Sequence, residues 1–184
     1  DNETCTAGGV LNASGKIRKA GFRLGLQMML GLPGDTLQKA KMSAQGIADL
    51  GAQETRIYPT LVIKGTTLEK MYREGSYEPL SLDEAVKWAK EIVKIFEEAG
   101  IIVLRTGLHP SEGILEGKDL VAGPFHASFK ELVLTEIWHD LLKKLVYSSA
   151  RKLHIYVSPK SLNWAIGYES RNKKYLLQYF DYVV

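Results

Sequence analysis

"FRLGLQMMLGLPGDT", Phe22 to Thr36, is the stretch on which the reading of this chain turns. An apolar run with β-compatible residues, Leu24 to Leu30, goes straight into Gly31-Leu32-Pro33-Gly34 and then Asp35-Thr36, the pattern of a strand, a turn and a helix start. Asp35 and Gln38 have capping-box spacing, and the helix they open is expected to run to about Leu50 before Gly51. Glycines in such a turn allow positive φ and close backbone approach, while amides at the helix start attract an anion or an acceptor-rich ring. Taken alone the motif has low specificity. It lacks the lysine of a phosphate-binding P-loop and the spacing of a dinucleotide fingerprint, so a plain turn with a cap also explains it.

Working outward, Val10 to Ala20 carries apolar residues at helical spacing and stops at Gly21. "RIYPTLVI", Arg56 to Ile63, is expected as one strand, with Pro59 marking an edge, bulge or strand end. Ser81-Leu82-Asp83-Glu84 is a second capping-box pattern, opening a helix that ends at Gly100, and Ile101 to Arg105 is a third, very apolar strand. Helix and strand alternate, and crossovers of this length require a parallel sheet; near-continuous apolar strands imply that both faces are covered. The fold class is therefore α/β. In such folds ligands sit beyond the carboxyl ends of the strands, where "GLPGDT", "KGTTLEKM" and "TGLHPSEG" all lie.

Composition limits the function classes. The 184 residues are 45% hydrophobic and 24% charged, ordinary for a globular protein of one core or a core with an appendage. No apolar run approaches the ~20 residues of a membrane-spanning helix. The single cysteine, Cys5, permits no internal disulfide and no cysteine cluster, and cysteine usage fits a reducing, cytoplasmic location. A net charge of +3 is too weak alone to argue for nucleic acid. The chain begins at Asp1 without a signal-peptide pattern, so it is expected to be processed or part of something longer.

"AGFRLGLQMMLGLPGDT", "RIYPTLVIKGTTLEKMYREGSYEPLSLDEAV" and "GPFHASFKELV" together resemble the later part of radical S-adenosylmethionine (radical SAM) enzymes. The resemblance is closest to the Elongator-catalytic-subunit-like group, with oxygen-independent coproporphyrinogen III oxidases more distant, and it covers nearly the whole chain. It implies the carboxyl-terminal part of a parallel, TIM-barrel-like (β/α) partial barrel over residues 1–135, followed by a small α+β extension over 136–184. It further implies S-adenosylmethionine and a 4Fe-4S cluster in the full-length protein, with tRNA modification as the Elongator-like activity. By this resemblance the turn after the first strand packs on the adenine, through Met29, Gly31, Leu32, Pro33, Gly34 and Tyr58. The family's three cluster cysteines are absent, because Cys5 has no such neighbours. This chain alone is thus expected to be inactive, its partner being the missing amino-terminal half of the barrel. "NETCTAGGVLN" and "LVYSSARKL" look compressed beside the family pattern, with residues missing near Thr6 to Gly9 and Tyr147 to Arg151 as one reading.

Gln27, Arg56, Arg105 and His109 are the candidates for contact with substrate, being polar residues on or near strand ends; for the arginines a surface or salt-bridged role is equally open. His109, Glu112 and His126 are types that ligate metals or move protons, but nothing fixes their spacing, and a capping or hydrogen-bonded role is preferred, so no metal site is assigned. Lys64 beside Gly65 is placed either against an anion or in solvent, and Met28 in the core.

The tail, "KELVLTEIWHDLLKKLV" and then "KLHIYVSPKSLNWAIGYESRNKKYLLQYFDYVV", parses as helix, strand, proline turn, helix, "IGYESRN", helix and a short strand. A helix pair joined through Ile166-Gly167 and followed by Arg171, Asn172, Lys173 and Lys174 is similar to a KH-type RNA clamp, although "GYES" lacks the second glycine. Two functions follow: a fragment of a radical SAM enzyme acting on tRNA, or a non-catalytic KH-like RNA- or protein-binding module. A sheet of about three strands cut from a barrel also leaves the strand at Leu24 to Leu30 with an unpaired edge, through which self-association is expected.

Overall fold

A computed structural model describes residues 7–108, 118–147 and 151–184. The elements in chain order are α1 (Ala7–Lys19), β1 (Gly25–Leu30), α2 (Leu37–Asp49), β2 (Glu54–Pro59), β3 (Val62–Ile63), α3 (Thr67–Arg73), α4 (Leu82–Glu98), β4 (Ile102–Thr106), β5 (Leu120–Ala122), α5 (Phe129–Leu142), β6 (Lys152–Leu153), α6 (Leu162–Ile166), α7 (Arg171–Leu176) and β7 (Tyr182–Val183). The main sheet is parallel, in the order β1-β2-β4, with α2 and α4 in the crossovers. This is the α/β arrangement that the helix and strand alternation requires.

Helix α4 shows how local sequence produces the packing. Ser81 accepts from the Glu84 amide while the Glu84 carboxylate accepts from the Ser81 amide, a complete capping box. Its apolar residues Ala85, Val86, Ala89, Ile92, Val93 and Phe96 fall on one stripe, and all are buried. They meet Met28, Leu30 and Ile57 of the sheet and Ala40, Ala44 and Ile47 of α2 in one core. Burying Phe96 and Ile92 completely contributes about 1.5–3 kcal/mol each.

Among the described residues only one face of the sheet is covered, which corrects the expectation of helices on both. Leu26, Met28 and Leu30 face the core, while Gly25, Gln27 and Met29 alternate to the opposite, exposed side. Buried strands need apolar residues on the helix side, and the other side here is mixed, with Gln27 exposed on it. β1 is an edge strand, paired among the described residues with β2 alone.

"RIYPTLVI" is two strands, not one. β2 ends at Pro59, in register with Leu30, and the chain turns at Thr60 and Leu61 so that β3 pairs antiparallel with β5 in a separate ribbon. Pro59 thus marks a strand end, one of the three places the sequence allowed it.

The tail follows its expected order, with β6 and β7 pairing in parallel and a 3₁₀ turn at Pro159–Ser161. The long helix α5 ends at Leu142 and tightens into a 3₁₀ turn over Lys143–Tyr147. α5 serves two cores: Phe129 and Val133 belong to the first, and Leu142 packs with Leu176, Phe180 and Val183 in a second. Asn172, completely buried, pins the tail to it by donating to the carbonyls of Thr135 and Trp164 at 3.1 and 3.3 Å.

Candidate substrate and cofactor face

The exposed side of the sheet gathers most of the singled-out residues. Gln27 and Met29 of β1 lie beside Arg56 and Tyr58 of β2, their register partners. Between β2 and β4 the register slips, Thr55 pairing with Val103 but Arg56 with Arg105. The bulge leaves Leu104 unmatched, so Leu104 and Arg105 are both exposed while Val103 and Thr106 turn toward the core side. Its consequence is two arginines side by side on the open face. Neither has a carboxylate within ion-pair range among the described residues, although like charges placed directly opposite repel. Glu54, on the same side of β2, is instead paired with Arg23 at 3.7 Å. A hollow of about 140 Å³ on this face is lined by Gly25, Gln27, Glu54, Arg56 and Leu104 among others.

At the carboxyl end of β1 the turn is organised by its own carboxylate. Leu32-Pro33-Gly34-Asp35 closes with the Asp35 amide donating to the Leu32 carbonyl at 2.9 Å, Gly34 at φ +73°, as a proline-glycine turn requires. One Asp35 oxygen accepts from the Gly31 amide at 3.0 Å and the other from the Thr36 amide at 2.8 Å. The helix cap is Thr36, which accepts from Lys39, and not Asp35 as the spacing suggested. Because Asp35 already fills the amide cluster, this turn does not offer an empty anion cradle. It exposes instead a largely apolar surface, Met29 at 44% and Leu32 at 45%, with Tyr58 beside Met29 and the Lys39 ammonium donating to the Gly34 carbonyl at its edge. A flat heteroaromatic ring suits such a surface; a phosphate does not.

Two residues absent from the sequence reading hold this turn in place. The Tyr77 hydroxyl donates to the Gly31 carbonyl at 2.6 Å, and Leu80 fills the space where a Gly31 Cβ would stand, 2.8 Å from that position. Both lie in the irregular segment before α4, with no periodic pattern to signal them. A Gly34 Cβ, by contrast, would meet open space.

The remaining candidates scatter. The Gly65 amide is taken by Glu69 and Thr66 caps α3, so Lys64 stands at an occupied loop rather than at an anion site. His126 accepts from the Ser128 amide through Nδ1 at 3.0 Å and packs edge-on against Tyr168, the hydrogen-bonded role preferred for it. His109, Glu112 and Cys5 lie outside the described residues. Gly167, the centre of the KH-like pattern, is buried, and a Cβ there would meet the Asn172 amide nitrogen at 2.9 Å; phosphate cannot reach its backbone.

Residues 52–139 match the Radical_SAM C-terminal domain, a stretch that runs from β2 to the last turn of α5. The chain carries a carboxyl-terminal radical SAM portion of the Elongator-like kind. It is 31% identical over 126 residues to "Uncharacterized protein YtqA" of Bacillus subtilis, covering 68% of this chain and 37% of that protein. It is 30% identical over 89 residues to the "tRNA uridine(34) acetyltransferase" of Methanocaldococcus jannaschii, covering 45% of this chain and 16% of that one. Its fold is similar to that of the archaeal Methanocaldococcus infernus Elp3 with an N-terminal deletion, with a TM-score of 0.61 and 21% identity over 78% of this chain and 32% of the other. The chain thus spans about a third or less of most of these relatives.

The two groups that the radical SAM family implies fit this chain differently. Among the described residues no three His, Cys, Asp or Glu side chains converge as cluster ligands would. The adenosyl end of S-adenosylmethionine does suit the apolar Met29, Leu32 and Tyr58 surface.

Proposed function

We propose that this chain forms the cofactor-covering and substrate-facing wall of a radical SAM enzyme that acts on tRNA, the cluster being held by another part of the full-length protein. The observation that carries the reading is the unpaired Arg56 and Arg105, brought together by a bulge next to Gln27 on the open face. Two adjacent guanidinium groups are stabilised by a bridging anion, and they match a phosphate in planar, bidentate fashion. A phosphate-bearing substrate explains why such a pair stands there.

In this reading Met29, Leu32, Pro33 and Tyr58 hold the adenine by apolar contact, and Gly34, whose Cβ position is open, keeps the turn low enough for close approach, while Gly31 packs on Leu80. Bound with the cluster, S-adenosylmethionine supplies the radical that abstracts hydrogen from a substrate. This chain's residues position and exclude: Arg56, Arg105 and Gln27 orient the substrate, and the apolar rim keeps water from the adenosyl end. The test is anaerobic S-adenosylmethionine cleavage by the full-length protein, with and without tRNA. Arg56→Ala with Arg105→Ala is expected to abolish stimulation by tRNA while leaving the slow uncoupled cleavage. Equal stimulation in the double variant would remove the substrate role from this pair.

A further inference from the structure

Charge is distributed unevenly along this chain. Residues 143–184 hold eight lysines and arginines against two acids, whereas the rest hold sixteen against nineteen. A basic carboxyl-terminal segment following a net acidic body is the electrostatic footprint of a polyanion site. In the same segment aromatic rings face solvent to an unusual degree: Tyr147 is 90% exposed and Tyr179 52%.

Structure brings these features together. The 3₁₀ turn after α5 and the helix α7 enclose a cleft of about 520 Å³ lined by Lys143, Lys144, Val146, Tyr147, Tyr175 and Tyr179. Tyr175 and Tyr179 have ring centroids 5.3 Å apart, and His139 backs Tyr175 at 4.5 Å. That backing fixes the inner ring and leaves the outer ones accessible. Lys143 is shared with Asp140 at 2.7 Å, while Lys144 has no carboxylate partner among the described residues. Solvent-facing tyrosines gain nothing from folding. Lysine ammonium groups at the rim and rings within are what unpaired nucleotides require, phosphates at the edge and bases stacked inside.

We propose that this tyrosine-lysine cleft binds an unpaired stretch of nucleic acid, with Tyr147 and Tyr179 stacking on bases and Lys144 meeting a phosphate. The site lies in the tail, away from the Gly167 turn and from the sheet face, and it rests on the preceding reading only in making RNA the expected strand. Stacking is indifferent to the sugar, so RNA and DNA single strands share the chemistry. A duplex hides its base faces and a sulfated polysaccharide has none.

Fluorescence anisotropy of the full chain with labelled oligouridine, oligothymidine, a duplex RNA and heparin decides the matter without cluster or cofactor. Failure here therefore leaves the iron content and S-adenosylmethionine cleavage of the full-length protein unaffected. The single strands are expected to bind more tightly than the duplex. Tyr147→Ala with Tyr179→Ala should weaken single-strand binding about ten-fold or more. The double phenylalanine variant should bind like the parent, and Lys144→Ala should flatten the salt dependence. Circular dichroism confirms that these exposed substitutions leave the fold intact. Equal binding of heparin and oligouridine, an unchanged double alanine variant, or no binding at low salt would each overturn the proposal.

Discussion

The Tyr77 hydroxyl donates to the Gly31 carbonyl oxygen at 2.6 Å across 46 residues of chain, tying the approach to α4 to the turn at the carboxyl end of β1. Tyr77 is buried, so Tyr77→Phe leaves that carbonyl without its donor and is expected to cost about 1–3 kcal/mol. Burial, and then the Asp35 carboxylate, raise the Tyr77 hydroxyl pKa above its usual value. The unfolded chain therefore loses this proton first, and stability falls as pH rises above about 10 toward the raised value. Urea titrations of parent and variant should converge as the pH passes through that window. A gap that stays constant into strong alkali would mean that Tyr77 ionises as freely in the fold as outside it.

Asp140 ties α4 to α5, accepting from Lys90 at 2.8 Å, Lys94 at 3.2 Å and Lys143 at 2.7 Å. Burial alone would raise its pKa, but the three ammonium hydrogen bonds hold the carboxyl far below the ordinary aspartate range. A depressed pKa contributes stability above the unfolded value of 3.8, and that contribution is lost as pH falls below it. Asp140→Asn should cost about 1–2 kcal/mol at neutral pH, between an exposed and a buried pair, since Lys90 loses its partner. The variant should also lose less stability than the parent on going from pH 5 to pH 2, roughly the window that linkage assigns to such a carboxylate. Equal losses in parent and variant over that range would mean that the cluster contributes nothing.

The two glycines of the turn separate structure from ligand contact. Gly31→Ala strains a φ of +80° and drives a Cβ into Leu80, so it should destabilise by about 2–3 kcal/mol. Gly34→Ala meets only backbone strain, on the order of 1 kcal/mol. If the turn covers the adenine, Gly34→Ala should still weaken S-adenosylmethionine binding in the full-length protein beyond its effect on melting. A variant that melts lower and binds equally well makes Gly34 a turn residue alone.

Much of this was legible in the sequence because its signals are local. The stop at Gly100 and the Ser81 capping box need only neighbouring residues, and the alternation of helix and strand gave the parallel α/β core. What escaped depended on distant chain. The break after Pro59 exists because Val62 finds Ala122 as a partner, and the bulge that joins Arg105 to Arg56 is a property of the pair of strands. Asp35 looked like a cap because its spacing to Gln38 is right, yet a tight turn bends its carboxylate back to Gly31 and leaves Thr36 at the helix start. Gln27, Arg56 and Arg105 were singled out only by residue type and strand position, with nothing in a single strand to say which side the helices would take.

The edge strand β1 has its own consequence. With Met29 exposed and no second partner among the described residues, the isolated chain should self-associate as concentration rises, measured by sedimentation velocity. Met29→Lys on the open face should reduce that association without unfolding the chain. Association unaffected by this change points to another surface.

In the function proposed above, the bulge-bearing face of this chain is one wall of a radical SAM barrel whose cluster is held elsewhere in the same protein. Iron and acid-labile sulfide analysis of the anaerobically reconstituted full-length protein tests it most directly, with this chain alone in parallel. The full-length protein should bind iron and sulfide in equal amounts, as one 4Fe-4S cluster demands, and this chain none. A full-length protein that takes up neither, though folded, would contradict it.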